Sequence, residues 1–168
     1  CCCLTVASLT CKLKHMTFPI SATSPIQFSA PLPISTDVVI IGGGIIGVMT
    51  GWFLAKRGIK SVICEKGRIA GEQSSRNWGW IRQQGRDPAE LPIMIEALQI
   101  WKTLQGECGE DLGFTQGGVL YLANSAKDMA GFENWLTFAK AHQLDTRLLS
   151  GSQVNTMLPG SQSQWPGG

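Results

Sequence analysis

Long apolar runs, charge and ligand-spaced cysteines are all scarce in this chain. No segment reaches the roughly 18 consecutive apolar residues of a membrane span. The stretch "LTVASL" is short and runs into "CKLKH", which argues against a secretory signal. Charged residues make up 15% of the 168 positions and balance to a net +2. With no basic run, nucleic acid and acidic membrane surfaces are not expected partners. Four of the six cysteines, Cys1, Cys2, Cys3 and Cys11, crowd the start, while Cys64 and Cys108 are isolated. None makes a C-x-x-C pair, so no metal site, redox motif or secreted disulfide framework is expected. Cys64 lies in an apolar run and reads as a small core residue. The two histidines, His15 and His142, match no motif; His142 falls late in a predicted helix, where a cation suits the dipole.

Glycine is plentiful, with 20 Gly against 8 Pro, in an otherwise ordinary globular composition that is 43% hydrophobic. The first residue is Cys, the first Met is Met16, and the last residues are the polar "GSQSQWPGG". The expectation is a piece of a longer protein. Residues 1–35 hold Ser, Thr and Pro clusters without a period and read as a disordered or extended leader. Order begins at Thr36. "DVVII" is a continuous β-branched run, which suits a strand buried on both faces. "GGGIIGVMTGWFLAKRG" turns into a helix that stops at Gly58, and "KSVICE" is a second strand. A crossover of that length predicts two parallel, neighbouring strands.

A long polar loop follows, from Lys66 to Pro88. Helical spacing then returns at Leu91, Met94, Ile95, Leu98, Trp101 and Leu104, and Gly106 to Gly113 are expected to break it. "GGVLYLA" reads as a strand. Met129, Phe132, Trp135, Leu136 and Ala139 predict a helix over about 126–142. Ser152 is a candidate cap for a last short helix ending before Pro159. There is no internal repeat.

Gly42, Gly44 and Gly47 fit G-x-G-x-x-G between a strand and a helix. Gly51 adds a small residue for close helix–strand packing, and Glu65 ends the second strand about 20 residues on. The first glycine permits a tight turn and the second lets an anion reach the backbone. The helix start, with Gly43 and Ile45, offers unpaired N–H groups and a positive dipole end. Glu65 suits a ribose and would repel a 2′-phosphate. The pattern thus points to an ADP moiety and disfavours NADP, but does not separate FAD from NAD.

Three stretches carry a family resemblance: "DVVIIGGGIIGVMTGWFLAKRG…VICEK", the loop "AGEQSSRNWGWIRQQGRDPAELPIMIEAL", and "GFTQGGVLYLA" followed by a helix and "LDTRLLSGSQVNTMLPG". From Thr36 to about Gly160 the chain resembles the N-terminal part of FAD-dependent oxidoreductases of the D-amino acid oxidase superfamily. That group includes glycine/sarcosine oxidase-like and D-amino acid dehydrogenase-like enzymes. The resemblance implies an α/β fold: the N-terminal β-α-β part of a Rossmann-like FAD-binding domain over 36–112, then the start of an inserted α+β substrate domain over 113–168. It implies that Ser74, Ser75 and Arg76 meet the diphosphate or ribityl chain, and that Asn77, Trp78, Gly79 and Trp80 lie near the isoalloxazine. The residues alone also allow Ser74 or Ser75 to be a helix cap and the tryptophans to be core. Lys66 and Arg68 flank the expected adenosine end or face solvent. Arg82 and Arg86 are candidates for a substrate carboxylate, or are surface and ion-paired residues.

The chemistry implied is oxidation of an amino acid or related amine, of D-amino acid, glycine or sarcosine type. Hydride passes from the substrate Cα–H to the flavin, leaving an imine for hydrolysis. The electron acceptor, oxygen or a quinone or other carrier, is left open. An NAD-dependent dehydrogenase is one alternative. Another is a non-catalytic piece unable to retain cofactor alone. The expected location is the cytoplasm, with peripheral membrane attachment left open.

Overall fold

A computed structural model describes residues 2–5 and 20–168. The expectations for Cys1, Cys11, His15 and Met16 concern residues outside that range. The chain divides into two compact units, Cys1–Gly79 and Trp80–Gly168.

The first unit holds strands β1 (Cys2–Thr5), β2 (Val38–Ile41) and β3 (Ser61–Glu65), with helices α1 (Ile45–Lys56) and α2 (Gln73–Arg76). Strands β2 and β3 pair in parallel, Val38 opposite Ser61 through Ile41 opposite Cys64. This is the predicted β-α-β unit. Strand β1 pairs antiparallel on the other edge of β3, giving the order β1-β3-β2. The unperiodic leader gives no sign of that strand.

Helix α1 ends where the glycine predicted it. Gly58 sits at φ +73°, and its N–H donates to Ala55 O at 2.9 Å. The buried face of α1 carries Gly47 and Gly51 against the sheet. A Cβ on Gly51 would lie 3.1 Å from Ile63 Cδ1, so the small residue sets the helix–strand distance.

The expectation that the first strand is buried on both faces needs correcting. Ile40 is buried under α1, but Val39 is 59% and Ile41 91% exposed. Strand β2 is the sheet's edge, with a helix packed on one face only; the middle strand β3 carries the burial instead, through Ser61, Val62, Ile63 and Glu65.

The second unit holds α3 (Leu91–Cys108), α4 (Ala126–Ala141) and α5 (Gly151–Met157), with a 3-10 turn at Pro88–Glu90 before α3. Leu91, Leu104, Ala123, Ala139 and Val154 form its buried core. Of the six apolar positions predicted on α3 and the five on α4, Leu91, Leu104 and Ala139 are buried and the rest half-buried. Helix α3 ends inside the expected break at Gly106 to Gly113, though it passes Gly106 itself. It continues to Cys108 and stops at Gly109, which takes φ +69°. A helix tolerates an interior glycine at a cost of about 1 kcal/mol, and the left-handed residue ends it.

Helix α5 is capped by Ser150 rather than Ser152, in a reciprocal capping box with Gln153. The predicted strand at 117–123 does not form. Gly118 takes φ +81°, which interrupts an extended run, and of that run Ala123 N–H donates to Gly167 O at 2.9 Å. No helix among the described residues is long and apolar enough to cross a membrane.

Candidate functional site

The site is built at the junction of β2 and α1. Gly42 sits at φ +104°, a conformation side chains rarely adopt, and its N–H donates to Cys64 O at 2.8 Å. The chain thereby reverses directly from strand to helix. Gly47 faces back onto this turn, where an added Cβ would lie 1.9 Å from Gly42 O. Only glycine fits there. The helical ladder opens with Val48 N–H donating to Gly44 O at 2.9 Å, so the amides of Gly44, Ile45, Ile46 and Gly47 precede it without intrahelical acceptors. Ile45 N–H donates to Ser74 Oγ at 2.8 Å.

Glu65, 9% exposed at the end of β3, turns its carboxylate onto the same turn. Oε2 accepts from Gly43 N–H at 2.7 Å and Oε1 from Gly67 N–H at 2.8 Å. Those two amides, Gly43 first, hold its pKa below the ordinary carboxylate value; burial opposes them and Lys66 reinforces them. The group is therefore an anion at neutral pH, with lone pairs remaining on both oxygens.

The segment after β3 folds over the turn. Ala70 N–H donates to Gly43 O at 2.8 Å, and Ser75 Oγ to Ala70 O at 2.5 Å. Lys66 pairs with Glu72 at 3.0 Å, and that partner raises the Lys66 pKa. Arg68 Nε donates to Ser24 O at 2.6 Å, tying the leader to this segment.

Together these elements line a cleft of about 520 Å³. Gly42 and Gly44 meet Glu65, Lys66 and Ser74 there, with Arg68 and Glu72 at the same opening. Ser74 caps the start of α1 across the cleft instead of capping its own helix. Its Oγ would lie 3.1 Å from a Cβ on Gly44, which shows how closely the cleft approaches that backbone. Gly67 and Glu72 were not read from the sequence. A glycine after the acidic strand end is a usable signal for Gly67. The Lys66–Glu72 pair has none, because it depends on how the loop turns.

The rest of the predicted loop is not gathered into this cleft. Arg76 ends α2, Asn77 follows it in extended conformation, and Trp78 is 83% exposed. A Cβ at Gly79 would meet nothing within 4 Å. In the second unit, the Trp80 ring stacks on Tyr121, with centroids 6.1 Å and planes 21° apart. Arg82 Cζ lies 5.2 Å from the Trp80 centroid, and its Nη1 donates to Gln84 O. Arg86 pairs with Glu90 at 3.5 Å, and its carbonyl accepts from Trp135 Nε1 at 3.1 Å. Among the described residues no such carboxylate partner stands beside Arg82.

A family model described as FAD dependent oxidoreductase matches residues 37–168. Sarcosine oxidase subunit beta of Arthrobacter sp is 35% identical over 127 residues, 74% of this chain and 31% of that protein. Mouse mitochondrial sarcosine dehydrogenase is 27% identical over 133 residues, 78% of this chain and 14% of its own length. Among solved structures, L-amino acid deaminase from Proteus myxofaciens, in complex with anthranilate, matches with TM-score 0.77 and 30% identity. It covers 89% of this chain and 34% of that one. Glycine oxidase from Bacillus cereus ATCC 14579 matches with TM-score 0.68 and 28% identity, over 79% and 37%. The chain thus spans 14% to 31% of the length of the two curated relatives named.

Proposed function

The chain belongs to the family of FAD dependent oxidoreductases, and from that membership we propose that it supplies the adenosine-diphosphate end of a flavin site in an enzyme oxidising an amino acid or related amine. The observation that carries this is Glu65: an ionised carboxylate folded onto the glycine turn at the mouth of α1. Opening amides with no intrahelical acceptor suit a diphosphate, and the remaining lone pairs of Glu65 suit ribose hydroxyls. The donor and acceptor set therefore fits FAD. Gly42, Gly43, Gly44, Ile45 and Gly47 provide the turn; Cys64 O, Glu65 and Ser74 accept from the N–H groups of Gly42, Gly43 and Ile45, which leaves the Gly44 and Gly47 amides for the diphosphate. Lys66 flanks the opening, and Ser74, held by Ile45 N–H, stands ready to donate to a phosphate oxygen.

FAD, when bound, supplies two-electron acceptance from the substrate. The chain's own residues bind and orient. Arg82 is the proposed anchor for a substrate carboxylate, because its guanidinium is held in place yet has no acidic partner among the described residues, whereas Arg86 is engaged by Glu90. The anthranilate bound by the Proteus relative is itself an aminated carboxylate. Residues 36–112 are assigned to the FAD-binding domain and 113–168 to the start of a substrate domain. Ser75, Arg76, Asn77, Trp78, Gly79 and Trp80 are assigned to the path toward the flavin. The acceptor class is oxygen or a quinone-type carrier.

The test is flavin affinity. In the full-length enzyme Glu65→Gln is expected to weaken FAD binding about tenfold, in line with losing a charge-assisted hydrogen bond. Wild-type affinity in that variant would count against the reading. A second reading has its own observation. Val39 and Ile41 stand exposed along the edge strand that leads into the turn, so residues 1–168 alone are expected to hold FAD weakly or not at all. Tight retention of flavin by this chain alone would contradict it.

A further inference from the structure

Resting on Arg82 as the carboxylate anchor, we infer that Tyr121 is the residue that positions it. Two groups hold the Arg82 guanidinium: the Trp80 ring beneath it and the backbone carbonyl of Gln84. Tyr121 touches both. Its ring stacks on Trp80, and its hydroxyl donates to the same Gln84 carbonyl at 3.4 Å. Phe132 and Tyr121 meet edge to face, with centroids 6.3 Å apart at 77°. Thr146 Oγ1 donates to Gln84 Oε1 at 3.2 Å, so Gln84 is gripped by its side chain as well as its carbonyl. Gly85, at φ +65°, turns the loop at this point; a Cβ there would lie 3.3 Å from Arg82 Nη1 and 3.7 Å from the Tyr121 hydroxyl.

The consequence is energetic. An unrestrained arginine loses rotamer freedom when it grips a ligand. One already laid on an indole loses less, and its remaining N–H groups are left for a planar carboxylate. Tyr121 supports the indole and the carbonyl together, so it acts on the anion through Arg82 without meeting the anion itself. It is a positioning residue.

The test follows the Arg82 Nε–Hε resonance in the ¹⁵N-labelled, flavin-loaded full-length enzyme, assigned by its loss in Arg82→Lys, during titration with anthranilate. Wild type is expected to show a saturable shift. Tyr121→Leu removes the stack and is expected to weaken that binding about 3- to 10-fold. Tyr121→Phe keeps the ring and is expected to weaken it about twofold. In the flavin-loaded full-length enzyme the same order appears in KM, with kcat retained. A purely structural Tyr121 would lower the unfolding midpoint in Tyr121→Leu while leaving the titration unchanged, and that result overturns the inference. No shift of Arg82 in wild type overturns the anchor itself, and the inference with it. Should Tyr121→Leu fail to fold, Tyr121→Phe and Thr146→Val decide, and wild-type binding in both overturns it.

Discussion

Glu65 in the first unit and Arg82 in the second are charges held by opposite means. Glu65 is fixed by backbone: its two oxygens take amides from Gly43 and Gly67. Arg82 is fixed by a ring and a carbonyl whose own positions depend on Tyr121 and Thr146, some 40 to 60 residues further along the chain. The first arrangement follows from a turn that only glycine can make. The second exists only once distant segments have packed. A local site built on backbone tolerates little change at its glycines, whereas a packed site is sensitive at side chains that carry no charge.

The sharpest break of the first site is Gly47→Ala. Its Cβ would overlap Gly42 O, an atom of the backbone that cannot rotate away, and the expected cost is about 3 kcal/mol in urea denaturation. Gly79→Ala, in open space, is the matched control and should stay within about 0.5 kcal/mol. Next comes Glu65→Gln, expected to cost about 2 kcal/mol because one acceptor of a charged pair of hydrogen bonds becomes a donor.

The same residue sets a pH dependence. Its folded pKa lies below that of an ordinary glutamate, so the folded state binds fewer protons than the unfolded. The stabilisation is complete above about pH 4.5 and is lost as pH falls through the folded pKa. An acid-unfolding series should show this component in wild type and not in Glu65→Gln.

In the second unit Ser150→Ala removes the capping box of α5 and is expected to cost about 1 kcal/mol, read from the thermal midpoint. The smallest effect belongs to Lys66→Met. The Lys66–Glu72 pair is exposed, so the unfolding midpoint should hold at ordinary salt and lose only part of its salt dependence.

The glycine turn, the acidic strand end, the parallel pair and the apolar faces of α3 and α4 were all legible, because each is a short-range pattern. The leader strand was not, since pairing along β3 needs no period in four residues. The missing strand at 117–123 shows the converse: β-propensity there is high, yet Gly118 turns the backbone and no ladder forms. Arg82 and Arg86 were equivalent by sequence, four residues apart in one loop. Glu90, one helical turn beyond Arg86, engages it and leaves Arg82 the better candidate.

By itself, then, the amino-acid order determined where the chain turns, which helix faces are apolar, and that a carboxylate follows a glycine-rich reversal. These depend on steric limits and periodicities acting over a few residues. Tertiary structure alone decided that Ser74 caps α1, that β2 lies at an edge, and that Glu90 pairs with Arg86. Those outcomes depend on groups brought together across long stretches of chain, and no local rule encodes such meetings.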